Sequence, residues 1–347
     1  MDYNEEDNGR MLSESWTAMR HDKLRRYNLF AGLSKIILSL GRVPLPRIGS
    51  HTINDEGVVS LTNRPLTLML QQLENEGIPT NITRERTYTT VEPYLLDTLA
   101  LHDSRLSHQP NAANDAADCR GQMVALTAMR SVFHHCNSQD FRTGPFYFSL
   151  TDIHASNIFV DPDWKITCLI DLKWACSLPV ELEHPPHWLT SRNVDQLDGE
   201  YLAEFNEVRE EFMDVFEKEE KRFSCSKNCT PLRAHTMRRG WDTGKFFYFH
   251  AMYSTVGMFT LFWQHIQPRF APAHCSDKDF DRIYAPYWKS EADKFVSTKE
   301  KEKADYDERL ETMFKEGDPS HKDEASGGKN RFICAAYSRI LLNLPTI

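Results

Sequence analysis

The chain has 347 residues, of which 40% are apolar and 26% charged, enough for one large or two modest cores and incompatible with wholesale disorder. Fifteen glycines and 17 prolines exclude a collagen-like or low-complexity polymer, and a mean hydropathy of −0.54 excludes a multi-span membrane protein. Lys plus Arg number 41 against 50 Asp plus Glu, so a net charge of −9 gives no field drawing the molecule to nucleic acid or an anionic membrane, and neither is expected as a partner.

The acidic start, residues 1–11, lacks the basic region and short apolar run of a secretory signal and is expected to be disordered. Residues 12–40 place Trp16, Leu24, Leu29, Phe30, Leu33, Ile37 and Leu40 at near-helical spacing, ended by Gly41. Apolar alternation on either side of a connection containing Asn54 and Gly57 predicts a β-hairpin over residues 47–63. Helices are predicted over 91–108, with Pro93 in the first turn, and over 114–135, where Met123, Leu126, Met129, Val132 and Phe133 share a broad face.

From Gly144 the texture changes. Residues 146–150 read as a short strand, and 158–160 and 166–170 as two more around a turn at Asp161, Pro162 and Asp163, where the two acids are expected to do turn chemistry only. Long helices are predicted over 200–222 and 242–266, and one or two more over 276–316, the last highly charged. A flexible linker over 316–330 and a short apolar end over 332–344 follow. Phe246 to Trp263 is the one stretch long enough to compare with a membrane span, but Ser254, Thr255, Gly257 and Thr260 within it favour a buried helix.

The eight cysteines are dispersed, and Cys225 and Cys229 have no second pair at zinc-ligand spacing, so reduced thiols and a cytoplasmic location are expected. His134, His135 and Cys136 are adjacent, point in different directions on a helix, and read as a helix end rather than a metal site. Trp164, Trp174 and Trp188 are expected to pack in the core and loops rather than form a stacking platform.

The chemistry concentrates between residues 151 and 174. Asp152 is followed five positions later by Asn157, and a tight hairpin then leads to Asp171. Phosphoryl transfer needs one carboxylate to orient an attacking hydroxyl and two oxygen ligands to hold Mg²⁺ against nucleotide phosphates, and an Asp, an Asn and a second Asp meet that need. Two antiparallel strands return a chain to its origin, so Asp171 is expected to face the loop holding Asp152 and Asn157.

This stretch, together with residues 26–34 (RYNLFAGLS), 63–67 (NRPLT), 91–97 (VEPYLLD) and 183–189 (EHPPHWL), resembles the aminoglycoside phosphotransferase family of kinase-like enzymes, most closely the form common among fungal proteins, over roughly residues 12–270. The resemblance implies a helix-rich α+β fold: the large, C-terminal lobe of the protein-kinase type over 12–290, with short β-hairpins around the site, then a charged helical tail over 291–347. It also implies Asp152 as catalytic base, Asn157 as a Mg²⁺ ligand, Asp171 as the ligand bridging metal and phosphates, His154 as a loop-ordering residue, ATP and Mg²⁺ as cofactors, and a small-molecule hydroxyl as acceptor.

The chain departs from the family in three places. Leu150 stands where many kinase-like enzymes have a His, and Lys173 stands where a Glu is expected after the metal-binding Asp171 and Leu172. Nothing before residue 12 corresponds to the small β-rich lobe that carries the phosphate-covering loop, so the chain is expected to be the larger lobe alone. The expected function is an ATP- and Mg²⁺-dependent phosphotransferase acting on a small-molecule hydroxyl; the alternative is a non-catalytic kinase-like relic or binding module.

Overall fold

The computed structural model describes residues 9–223, 232–274 and 278–317. The expected linker past residue 317, the apolar end, the pair Cys225 and Cys229, and the first eight residues lie outside the described residues, while residues 316 and 317 of that linker are helical. What is described is a helix-rich α+β structure with three small sheets.

The expected disorder of residues 1–11 does not hold to its end: β1 (Arg10–Met11) pairs antiparallel with a later strand. The expected helix over 12–40 is two helices, α1 (Leu12–Met19) and α2 (Lys23–Leu40). The break is chemical. The Asp22 carboxylate accepts from the Leu24 and Arg25 backbone N–H groups, satisfying orphan donors at the start of α2.

The first hairpin forms as expected, β2 (Ser50–Ile53) pairing antiparallel with β3 (Val59–Asn63). Its turn needs Gly57, at φ +77°, and the Asn54 side chain, which accepts from the Val58 N–H. Next come α3 (Leu68–Asn75), α4 (Val91–His108) and α5 (Ala116–Ser131). The first and last of these are capped by Thr67 and Asp115. Four strands follow: β4 (Phe146–Leu150), β5 (Ile158–Val160), β6 (Ile166–Leu169) and β7 (Ala175–Pro179). β5 and β6 form the expected second hairpin, with β1 on its free edge in the order β1-β5-β6, and β4 pairs antiparallel with β7.

The helical body is completed by α6 (Gly199–Phe223), which packs along α2, and by α7 (Leu232–Asp242) and α8 (Lys245–Tyr253). The single helix expected over 242–266 is interrupted. After α8 the Ser254 hydroxyl accepts from the Gly257 N–H in a turn, and the chain resumes as a short α-helical turn over Met258–Leu261 and a π-helical turn over Phe262–Ile266. Phe246, Phe249, Met252 and Phe262 are buried in one core with Leu29, Phe30, Leu126, Met129, Phe205 and Phe212, so the apolar stretch reads as core. Among the described residues no helix is long and apolar enough to cross a membrane.

The last two described helices are α9 (Lys278–Trp288) and α10 (Ala292–Gly317), both packed on α5. A boundary at residue 290 therefore does not detach a tail: Ala292, Phe295 and Val296 join the main core, and the buried Lys299 ammonium donates to the Gln109 carbonyl at 2.7 Å and to Glu302 at 2.6 Å.

Candidate functional site

The last rung of the β4–β7 ladder pairs Leu150 with Ala175, so the loop leaving β4 and the turn entering β7 are side by side. The Thr151 hydroxyl donates to the Trp174 carbonyl at 2.6 Å and closes this junction. From the other side the Trp188 indole N–H donates to the Ile153 carbonyl at 2.8 Å. Asn157, 7% exposed, staples the loop internally: its backbone N–H donates to the His154 carbonyl and its side-chain Nδ2 to the Asp152 carbonyl, each at 2.9 Å.

The hairpin then returns as expected. Ile158 lies opposite Leu169, and the Ile170 N–H donates to the Asn157 carbonyl at 3.0 Å, which puts Asp171 next to the stapled loop. Asp171 has φ 55° and ψ 49°, a left-handed conformation that costs a non-glycine residue roughly 1–2 kcal/mol. Such strain is held where the surroundings over-determine it, and here it redirects the chain from β6 into the short turn that leads to β7. At the far end of the hairpin Asp161 accepts from the Asp163 and Lys165 N–H groups, each at 2.9 Å, which is the expected turn chemistry.

Asp152 and Asp171 line one small cleft with Leu150, Thr151, Ile153 and Trp174, whose enclosed space is about 10 Å³, room for about one water. Anything larger would lie across its mouth. Asn157 is not among the residues lining this cleft. Burial pushes the Asp152 carboxyl above its ordinary value; His154 and Lys173 oppose the shift, while the Asp171 charge adds to it. His154 Nε2 is 3.8 Å from Asp152 Oδ1. Lys173 Nζ lies 2.9 Å from Asp171 Oδ1 and 3.2 Å from its Oδ2, so the unexpected lysine sits directly on the second carboxylate.

The donors fit Mg²⁺ by type. Asp171 offers hard carboxylate oxygens, and because Nδ2 of Asn157 is spent on the Asp152 carbonyl, its amide oxygen is the atom that could face a cation. Mg²⁺ needs only one or two such groups, the remaining positions being water or phosphate. Two features fit less well: a lysine lies on Asp171, and Asn157 does not line the cleft that Asp171 lines. Among the described residues no group of three or more His, Cys, Asp or Glu is arranged to hold a metal ion; the His134 and His135 rings lie 3.9 Å apart, tilted 41° to each other.

Several supports of the loop are not legible in the motif. Trp164 and Trp188 both pack on Trp16, with ring centroids 5.3 Å apart, so the expected packing role holds for these two, while Trp188 also grips the loop through its N–H. His187 is half-buried close to His154, and its imidazole is held down at about 4, chiefly by desolvation, hence neutral. Its sequence signal is its place in the segment 183–189 (EHPPHWL). Comparison of the chain with known family models, with characterised proteins and with solved structures gave no match.

Proposed function

We propose that the chain is a kinase-like phosphotransferase that moves the γ-phosphoryl group of ATP to a hydroxyl of a small molecule. The observation supporting this most directly is the pair Asp152 and Asp171 lining one cleft, with Asn157 tied to the Asp152 carbonyl. In this reading the acceptor oxygen attacks phosphorus, the bond to the bridging oxygen breaks, and ADP leaves. Asp152 takes the hydroxyl proton and later gives it to water. Burial raises its pKa, which makes its carboxylate a stronger base than an ordinary exposed one. Mg²⁺, held by Asp171 and the Asn157 amide oxygen, would neutralise phosphate charge and align the transferring group. Thr151, Trp188 and the Asn157 amide keep the loop in register while the proton moves.

The test is calorimetric titration of Mg²⁺-ATP into the folded chain, followed by phosphate-transfer assays over a panel of small alcohols. Saturable binding lost in Asp171→Ala, and transfer lowered roughly 10²- to 10⁴-fold in Asp152→Asn with ATP binding retained, is the expected result. A folded chain that neither binds ATP nor phosphorylates any acceptor overturns the proposal.

The contact of Lys173 with both Asp171 oxygens favours a second reading, a binding module whose cation is the lysine itself. That reading expects ATP to bind as well in EDTA as in Mg²⁺, and no product to form.

A further inference from the structure

Away from the Asp152 cleft, a cavity of about 460 Å³ opens between α3, α4, the start of α5 and residues 255–260. It shares no lining residue with the cleft. Along α4, Tyr94 is near Cys176 on the cleft side and Arg105 lines the cavity; eleven residues at about 1.5 Å each separate them by roughly 16 Å. The volume suits a small metabolite.

The informative group is Arg105. It is 8% exposed, yet among the described residues no carboxylate lies within ion-pair distance of it. Two of its five N–H donors reach neutral amides, Gln109 at 3.2 Å and Gln122 at 2.8 Å, and its Nε has no partner at all. Desolvation works against its charge, and the fields of Asp118 and Glu76, neither in contact with it, offset this only in part. A buried guanidinium with no carboxylate in contact is costly, and its planar fork matches one.

The remaining lining says what else such a ligand carries. Asp118 is committed, its oxygens accepting from the Asn114 backbone N–H, the Asn114 amide and the Gln122 amide. Exposed Glu76 spends Oε2 on the Gln109 amide, which leaves Oε1 to receive a donor at the rim. Phe259 and the 78%-exposed Val256 supply an apolar wall. A guanidinium inside, a carboxylate at the rim and an apolar wall between them are complementary to an anion and a cation on one small molecule with an apolar substituent.

We propose that this cavity is a binding site for a small zwitterion of the α-amino-acid type with an apolar side chain, its carboxylate on Arg105, its ammonium on Glu76 and its side chain against Phe259 and Val256. The two acids rule against a simple anion, which they would repel, and the buried cation rules against a simple amine.

The probes are L-leucine, 4-methylpentanoate, which lacks the ammonium, and 3-methylbutylamine, which lacks the carboxylate, each titrated calorimetrically into the full chain up to about 10 mM. Saturable binding of L-leucine, with the acid and the amine each at least about tenfold weaker, is the expected result. Glu76→Gln should weaken L-leucine binding at least about tenfold and bind 4-methylpentanoate no more weakly than the parent chain does, and Arg105→Gln should abolish both. Arg105→Gln perturbs a buried network, but the exposed Glu76→Gln does not, so the test survives a misfolded arginine variant. No saturable L-leucine binding by a folded chain, equal binding of all three probes, or indifference of L-leucine to Glu76→Gln overturns the proposal. ATP binding is read separately at the other site, so either result stands without the other.

Discussion

Two ion pairs in this molecule treat charge in opposite ways. In the helical body the Lys245 ammonium donates to Glu181 at 2.7 Å and to the Ser138 hydroxyl at 2.6 Å, with the lysine and glutamate side chains 8% and 3% exposed. At the cleft, Lys173 and Asp171 meet at 2.9 Å, but their side chains are 61% and 38% exposed. The first pair is walled off from water and fully bonded, Glu181 also accepting from the Ser138 N–H. The second is open, and either partner can exchange its companion for water, a metal or a phosphate. Depth, rather than contact distance, separates a charge committed to the fold from one left free for chemistry.

That contrast can be broken most forcefully from the buried side. Glu181→Ala strands an ammonium in the core and should cost about 3–5 kcal/mol, read as a shift in the urea midpoint, whereas the apolar double variant Glu181→Leu with Lys245→Met should recover most of the loss. A single variant that costs under about 1 kcal/mol would mean that water reaches the pair.

Acid pH probes the same body. His102 and His187 are held down at about 4 and His184 at about 3 by desolvation, with His102 Nε2 at 2.8 Å from the Met252 carbonyl. The unfolded chain takes up these protons from about pH 6.5 downward while the folded chain does not. Stability is therefore fully present above about 6.5 and lost as pH falls toward 4, by up to ~1.4 kcal/mol per pH unit for each histidine. His184→Phe, beside Phe246 and Phe249, should make this loss shallower by one histidine's share, measured as the difference between urea curves at two acid pH values.

The open pair answers with function instead. Lys173→Ala should change stability by less than about 1 kcal/mol while tightening Mg²⁺-dependent ATP binding, because it frees both oxygens of Asp171. Looser binding in that variant would assign the lysine to the phosphates. The smallest effect is expected from Asp152→Asn on stability. A carboxyl raised by burial is penalised in its charged form above that raised value, so removing the charge leaves the fold unchanged or slightly firmer at neutral pH.

Local pattern was enough for much of the fold. The 91–108 helix, both hairpins and the strand at 146–150 followed from spacing and turn residues, because each is decided within a few positions. Breaks were harder. The interruptions at Asp22 and at Ser254 to Gly257 rest on one or two side-chain to backbone bonds each, which apolar periodicity does not register. The return of Asp171 to the Asp152 loop was legible because a hairpin has one outcome. The grip of Trp188 on Ile153, 35 positions away, and the β4–β7 pairing were not, since both depend on tertiary placement. Arg105 had a faint signal: on α4 the buried positions Tyr94, Leu95, Thr98, Leu99, His102 and Leu106 form one face, and a charge on that face asks for a partner.

The pairing of β1 with β5, Arg10 opposite Val160, has a consequence for synthesis. At roughly 5–20 residues per second, β1 leaves the ribosome on the order of ten seconds before its partner exists. Through that interval its edge is unsatisfied, and Gly9, at φ +83° and tight against the Val160 carbonyl, cannot yet find its fit. Once β6 emerges, the β5–β6 hairpin can close by itself from neighbouring residues. The nascent chain thus has the machinery to set Asp171 against its loop before α6 to α10 are made, with the opening strand docking onto a template already in place.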